Sequence, residues 1–174
     1  MLRAEDLFQD AADFEAVPLA ERDPLREPDG LLEAQLLDTR VETLVSRAGL
    51  LLELRTTMGF PKGDAAVLVA CGVREFTWSA DPRPAPRTAW NVVASTPGAE
   101  DGLFALDLDF LPRARLRLVA ESAEFYVADV PRLGPRVPDY EADEADAIRN
   151  NLPSWSSPVS LRGISSFAVG SPAL

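Results

Sequence analysis

Histidine is missing from this chain altogether. Its absence removes the commonest general base and the commonest zinc ligand together, and with them Ser-His-Asp and Cys-His nucleophilic catalysis. Cysteine occurs once, at Cys71, so no intramolecular disulfide forms, in keeping with a reducing compartment. Cys71 falls inside an apolar strand-like run, which predicts an inert, packed thiol. Long apolar runs are lacking too: none approaches the length that spans a bilayer. The opening MLRAEDLFQDAADFE carries acids where a secretory signal needs a basic start and an unbroken apolar stretch, so the expected location is cytoplasmic. Gly59 to Gly63 lacks the glycine spacing and the following Ser or Thr of a phosphate loop, and no internal repeat is present. No cofactor is implied.

Basic charge is scarce relative to acidic charge. Asp and Glu number 28 against 17 bases, a net charge of −11, with an isoelectric point near 4.4. Such a field repels nucleic-acid backbones and anionic membranes, so neither is an expected partner; another protein is, and a basic one matches the overall sign. Sixteen of the seventeen bases are Arg, with Lys62 alone; together with abundant Ala, Pro and Asp this is the residue usage of a GC-rich bacterial genome. At 174 residues and 47% hydrophobic, the chain supports one domain with a real core. Residues 1–30 read as a helix and a Pro-rich arm, 31–130 as an antiparallel β core, and 131–174 as a linker, an acidic helix and a Ser/Gly-rich tail.

The strictest period-two alternation lies in Asp101 to Val130, where Phe104, Leu106, Leu108 and Phe110 share one face and Ala105, Asp107 and Asp109 the other. A three-residue turn at Pro112-Arg113-Ala114 predicts a hairpin with Phe110 opposite Leu116, Leu108 opposite Leu118, and Asp109 opposite Arg117. Upstream, Leu31 to Val45 alternates with a bulge near Leu36-Leu37, turns at Ser46 to Gly49, and returns through Leu50 to Met58 with Leu50, Leu52 and Leu54 inward and Glu53 and Arg55 outward. Ala65 to Ala80 suits a central strand bent at Gly72, and Thr88 to Ser95 a further strand before a turn at Thr96 to Gly102. The fold class is mainly β (α+β), an antiparallel meander of six to seven strands forming a curved sheet, a sandwich or a partly open barrel. A short N-terminal helix spans Ala4 to Glu15, and a C-terminal helix spans Asp139 to Leu152, capped by Asp139 and stopped at Pro153. The tail beyond it is expected to dock through Trp155 and Phe167 and to fray at its end.

The candidate sites are surface ones. The Pro-rich loop Asp81 to Arg87 and the linker Pro131 to Pro138 display Arg83, Arg87, Arg132 and Arg136 on segments already stiffened, so docking them costs little entropy. Glu141, Asp143 and Glu144 add an acidic contact patch, without the mid-loop glycine of an EF-hand. Asp107 and Asp109 share a strand face as a glycosidase pair does, but Arg115 and Arg117 across the turn predict ion pairing instead. Trp78, Trp90, Phe76, Phe104, Phe110, Phe125 and Tyr126 read mostly as core, with a ligand cavity as the alternative.

The order LLEAQLLDTRVETL, LLLELRTTM, AVLVACGVREFTW, GLFALDLDF and ARLRLVAESAEFYVADV resembles a small uncharacterised actinobacterial protein family. More loosely, it is similar to the compact acidic β-rich immunity proteins that neutralise bacterial polymorphic toxins. The resemblance includes no catalytic motif and carries over no site; it implies a non-enzymatic, partner-binding role. The leading expectation is a cytoplasmic protein-binding domain, either an immunity-type inhibitor or a small subunit of a bacterial assembly. The alternative is a carrier or sensor enclosing a hydrophobic small molecule in a β-barrel cavity. Carboxylate, Tyr or Arg enzyme chemistry, and homo-oligomers formed through a strand edge, stay open.

Overall fold

A computed structural model describes residues 1–10, 14, 17–19 and 22–168. Residues 11–13 and 15 of the expected first helix, and residues 169–174 of the tail, lie outside them. Among the described residues seven antiparallel strands form one sheet: β1 (Gln35–Glu42), β2 (Arg47–Glu53), β3 (Ala65–Ala80), β4 (Trp90–Glu100), β5 (Leu103–Leu111), β6 (Ala114–Asp129) and β7 (Ser160–Ala168). Two short helices accompany them, α1 (Ala4–Gln9) and α2 (Ala145–Asn150). Among the described residues no helix is long and apolar enough to cross a membrane.

The sheet order is β3-β2-β1-β4-β5-β6-β7, with a further pairing of β3 along nearly all of β6. This departs from the expected simple meander, because β3 and β4 are consecutive in the chain yet are not neighbours. The Pro-rich segment between them carries the chain across. The pairings β1–β2–β3–β6–β5–β4 then return to β1 through two residue pairs, Gln35 with Asn91 and Leu36 with Trp90. One edge of β6 serves β3; the other is divided, β5 taking Ala114–Ala120 and β7 taking Ser122–Asp129.

The main core gathers Leu50, Leu52, Leu68, Phe104, Leu106 and Phe125 with their neighbours. A second cluster lies on the other face of β2, β3 and β6, where Leu51, Val67, Val69 and Tyr126 meet Leu7 and Phe8 of α1 and Trp155 and Val159 of the late chain. Both faces of Ala48–Leu52 in β2 and of Ala65–Ala70 in β3 are therefore buried, and these stretches read as unbroken apolar runs. Gly49 permits the close approach of this cover: a Cβ there would stand 2.6 Å from the Phe8 ring and 3.0 Å from that of Trp155.

Several expectations hold in detail. β3 runs from Ala65 to Ala80 with Gly72 at a positive φ of 66°, and the β1 register shifts between Leu36 and Asp38. Others need correction. The β5–β6 reversal centres on Pro112, one residue earlier than expected, so Phe110 faces Ala114, Leu108 faces Leu116 and Asp107 faces Arg117. Moving the centre by one residue moves the pairing by two, which leaves every side chain on its expected face. The β1–β2 turn lies at Thr43–Ser46 rather than Ser46–Gly49, with Ser46 in the left-handed region. β4 continues through Pro97 to Glu100, where β5 is its strand neighbour and no ladder bond from the proline nitrogen is needed. Asp101-Gly102, both at positive φ, form the tight turn that follows.

Glu53 and Arg55 do not face water. Their side chains are 0% and 6% exposed and pair at 2.7 Å, because residues 134–136 and Asn151 roof that end of β2. The helix expected over Asp139–Leu152 is also largely absent. Asp139 caps a single turn, its Oδ1 accepting from the amides of Glu141 (2.9 Å) and Ala142 (3.0 Å), and only Ala145–Asn150 is helical. Acids competing for backbone amides and repelling one another at helical spacing account for this. Among the described residues the last regular element is instead a strand, β7, in a segment expected to be tail.

Candidate functional site

The three tryptophans of the chain line one groove and its extension, Trp155 from a buried position. Trp78 stands near the end of β3 and Trp90 at the start of β4, their rings edge-on at 5.3 Å, with Phe110 at 5.4 Å from Trp78. Trp155 follows α2, is 5% exposed, and donates its indole N–H to Asp38 Oδ2 at 2.8 Å. The Arg40 guanidinium stacks over the Trp155 ring at 4.6 Å, and Phe8 packs at 5.7 Å. Between them runs a groove of about 390 Å³, floored by Leu37, Leu51 and Leu152 and bordered by Trp90, Trp155 and Tyr140. It continues at one end, past Leu37 and Asp38, to Trp78, and at the other, past Thr88 and Tyr140, to Arg87 and Ile148.

The walls are held from behind. Arg55 Nη1 donates to the carbonyls of Gly134 (2.6 Å) and Arg136 (3.0 Å), and its Nη2 donates to the carbonyl of Asn151 (2.7 Å). Asn151 ties back through its own amide to the Arg136 carbonyl at 3.0 Å. The buried Glu53–Arg55 pair thus anchors both the linker and the end of α2, and with them the Tyr140 and Leu152 side of the groove. Tyr140 donates to Gln35 Oε1 at 3.2 Å; burial, reinforced by the Glu53 charge, pushes its phenol up to about 12, so it stays protonated at neutral pH.

Arg83 and Arg87 reach this groove from the Pro-rich loop, and Arg149 of α2 lies opposite. Arg83 donates to the carbonyl of Pro86 at 2.9 Å; among the described residues neither it nor Arg87 has a carboxylate within ion-pair distance. The other expected contact residues lie elsewhere. Arg132 and Arg136 are exposed on the linker, away from the groove lining, and Arg136 contributes its carbonyl to the Arg55 network. Glu141, Asp143 and Glu144 are exposed on the acidic turn; Asp143 accepts from the Asp139 amide at 2.8 Å, and Glu144 precedes α2 without a side-chain cap.

Sequence reasoning placed Trp78 and Trp90 mainly in the core, whereas Trp78 is 39% exposed and Trp90 half-buried. It did not single out Arg149. The available signal was the outer half of β3, where the unbroken apolar run stops at Gly72-Val73 and Phe76 and Trp78 then alternate with Glu75, Thr77 and Ser79, the pattern of a strand with one wet face near its end. Asp107 is held by Arg115 at 3.0 Å and Arg117 at 2.8 Å, so this carboxylate is an ion-pair partner as expected, although Arg117, expected opposite Asp109, faces Asp107, and Asp109 faces Arg115. Glu124 accepts from the Tyr126 hydroxyl; burial raises its carboxyl above the ordinary glutamate range.

Asp139 shifts the other way. The two backbone amides that it accepts hold its carboxyl below the usual value of 3.8. A carboxylate depressed by folding contributes stability above its unfolded pKa and loses it as pH falls through the folded one. The turn at 139–143 is thus expected to loosen only below about pH 4. Amide chemical shifts of Glu141 and Ala142 in an acid titration check this; movement centred well above pH 4 contradicts it. No family model, no curated protein and no solved structure matches this chain.

Proposed function

We propose that this protein is a non-enzymatic binding domain that holds another protein in its tryptophan-lined groove. In that role it serves as an immunity-type inhibitor or as a small subunit of a bacterial assembly. The observation that carries the reading is the convergence of Trp78, Trp90 and Trp155 with Arg83, Arg87 and Arg149 on one open groove. Tryptophan and arginine are the residues that dominate protein interfaces, and the groove borders the stiff Pro-rich loop. The pairing circuit of β1 to β6 fits a partly open barrel. Its interior positions are filled by Phe104, Leu106, Leu118 and Phe125, which favours binding on the outside over carriage of a hydrophobic molecule within. The single cysteine fits a reducing, cytoplasmic setting.

The test is retention of proteins from the native host on the immobilised full chain and on its Trp78→Ala variant, followed by calorimetric titration of whatever is retained. A partner whose affinity falls by about 30-fold or more in the variant, the loss of about 2 kcal/mol typical of a hot spot, supports the reading. Failure to retain any protein, or equal binding to both forms, removes it.

A further inference from the structure

Resting on that reading, we infer that the partner presents an extended acidic segment to the groove, with apolar side chains between its carboxylates. The site therefore has the opposite sign to the chain that carries it. The net charge is −11, and elsewhere on the fold many arginines are matched by carboxylates of the same molecule: Arg26 by Asp23, Arg55 by Glu53, Arg74 by Glu121, and Arg117 by Asp107 and Glu100. Arg113, Arg132 and Arg136 are exposed without such a match among the described residues, but they do not line the groove, where unmatched arginines gather beside tryptophans. Arg83 and Arg87 are left with a loop carbonyl at most, and Arg149 touches only Asp146, at 3.8 Å and with both groups largely exposed. An exposed pair of that kind contributes little and yields readily to a better-placed carboxylate.

The groove has few free acceptors to set against these donors. Asp38 is its lining carboxylate, and both of its oxygens are engaged, Oδ2 by the Trp155 indole at 2.8 Å and Oδ1 by the Thr39 amide at 2.9 Å. Thr88 spends its hydroxyl on the carbonyl of Ala85, and Tyr140 donates to Gln35. What remains is guanidinium above aromatic and aliphatic floor, a surface that recognises carboxylates by charge and the residues between them by contact.

Shape selects an extended occupant. The central compartment of about 390 Å³ opens into one of about 250 Å³ beside Trp78 and another of about 290 Å³ beside Arg87, joined through shared walls. A peptide lying along three linked, solvent-open compartments fills them in turn, whereas a compact small molecule occupies one. A nucleic-acid strand also offers negative charge and stacking rings, but it carries a phosphate at every residue and so meets more of the acidic chain's repulsion than a segment whose carboxylates alternate with apolar side chains.

All three tryptophans line the site, so intrinsic fluorescence of the intact protein reports binding directly. The probes are twelve-residue peptides built from three repeats of Glu-Leu-Glu-Phe, Gln-Leu-Gln-Phe or Lys-Leu-Lys-Phe, and a twelve-residue oligothymidine. The Glu peptide is expected to shift the emission saturably and to bind at least about tenfold more tightly than the Gln peptide, with a preference that shrinks as salt rises. Arg83→Glu combined with Arg87→Glu is expected to abolish that preference, while Arg113→Glu, an exposed charge reversal outside the groove, leaves it intact. Equal binding of the Glu and Gln peptides, tighter binding of the Lys peptide or the oligothymidine, or no saturable shift with any probe overturns the inference. Should a host protein be retained but not displaced by the Glu peptide, the acidic-segment inference falls and the protein-binding reading stands; should none be retained, that reading falls whatever the peptides do.

Discussion

Replacing Arg55 by alanine is expected to cost about 3–5 kcal/mol of folding free energy, the range for removing one partner of a buried ion pair. The reason is what it leaves behind. Glu53 is 0% exposed, and both its carboxylate oxygens are satisfied by Arg55, Oε1 at 2.9 Å from Nε and Oε2 at 2.7 Å from Nη2. Without the guanidinium the charge is stranded, and the Gly134, Arg136 and Asn151 carbonyls lose a common donor. Urea denaturation measures the loss. The paired substitution Glu53→Gln with Arg55→Met is expected to recover a large part of it, because no uncompensated charge remains. A change below about 1 kcal/mol in the single variant, the range of an exposed pair, shows that the site is wet and that the roof over β2 is not in place. The same variant is expected to weaken groove binding, since the roof carries Tyr140 and Leu152.

Phe104→Ala is the second large effect, about 3–5 kcal/mol for emptying a fully buried phenylalanine site. Phe104 is 0% exposed, pairs across the ladder with Ala120, and meets the Phe167 ring of β7 at 5.3 Å. Small neighbours on either side cannot swell to fill the hole. Phe167 is half-buried at the margin, so Phe167→Ala is expected to cost distinctly less. A shift in the urea midpoint at constant slope, larger for Phe104→Ala, is the expected record. Equal effects place Phe167 as deep in the core as Phe104, contrary to the packing.

The strands with one clean period were legible from the residues alone. Phe104 to Phe110 and Leu116 to Ala120 announce their faces, and Gly72 its bend, because each depends on neighbours a few residues away. β7 was not legible. Its buried positions are Gly163 and Ser165, small and not apolar, since Leu19 packs against Gly163 and Asp23 bonds the Ser165 hydroxyl. A strand whose inward residues are made small by a covering arm shows no hydrophobic period. Glu53 and Arg55 misled for a related reason: alternation puts them outward, and the roof that buries them lies about eighty to a hundred residues later in the chain. For the groove, the stiffness of the Pro-rich loop drew attention to Arg83 and Arg87, but overall charge conceals local sign. Only the fold brings Arg149 and three distant tryptophans beside them.

The divided edge of β6 also bears on how the protein is born. Asp129 leaves the ribosome nearly forty residues ahead of Ala168, so at ordinary elongation rates several seconds pass in which the Ser122–Asp129 edge has no strand beside it. During that interval the nascent molecule offers open amides and carbonyls next to Phe125 and Tyr126 to any passing chain, its own twin on a neighbouring ribosome included. Synthesis is thus the time of greatest exposure to aggregation, and the arrival of β7 ends it.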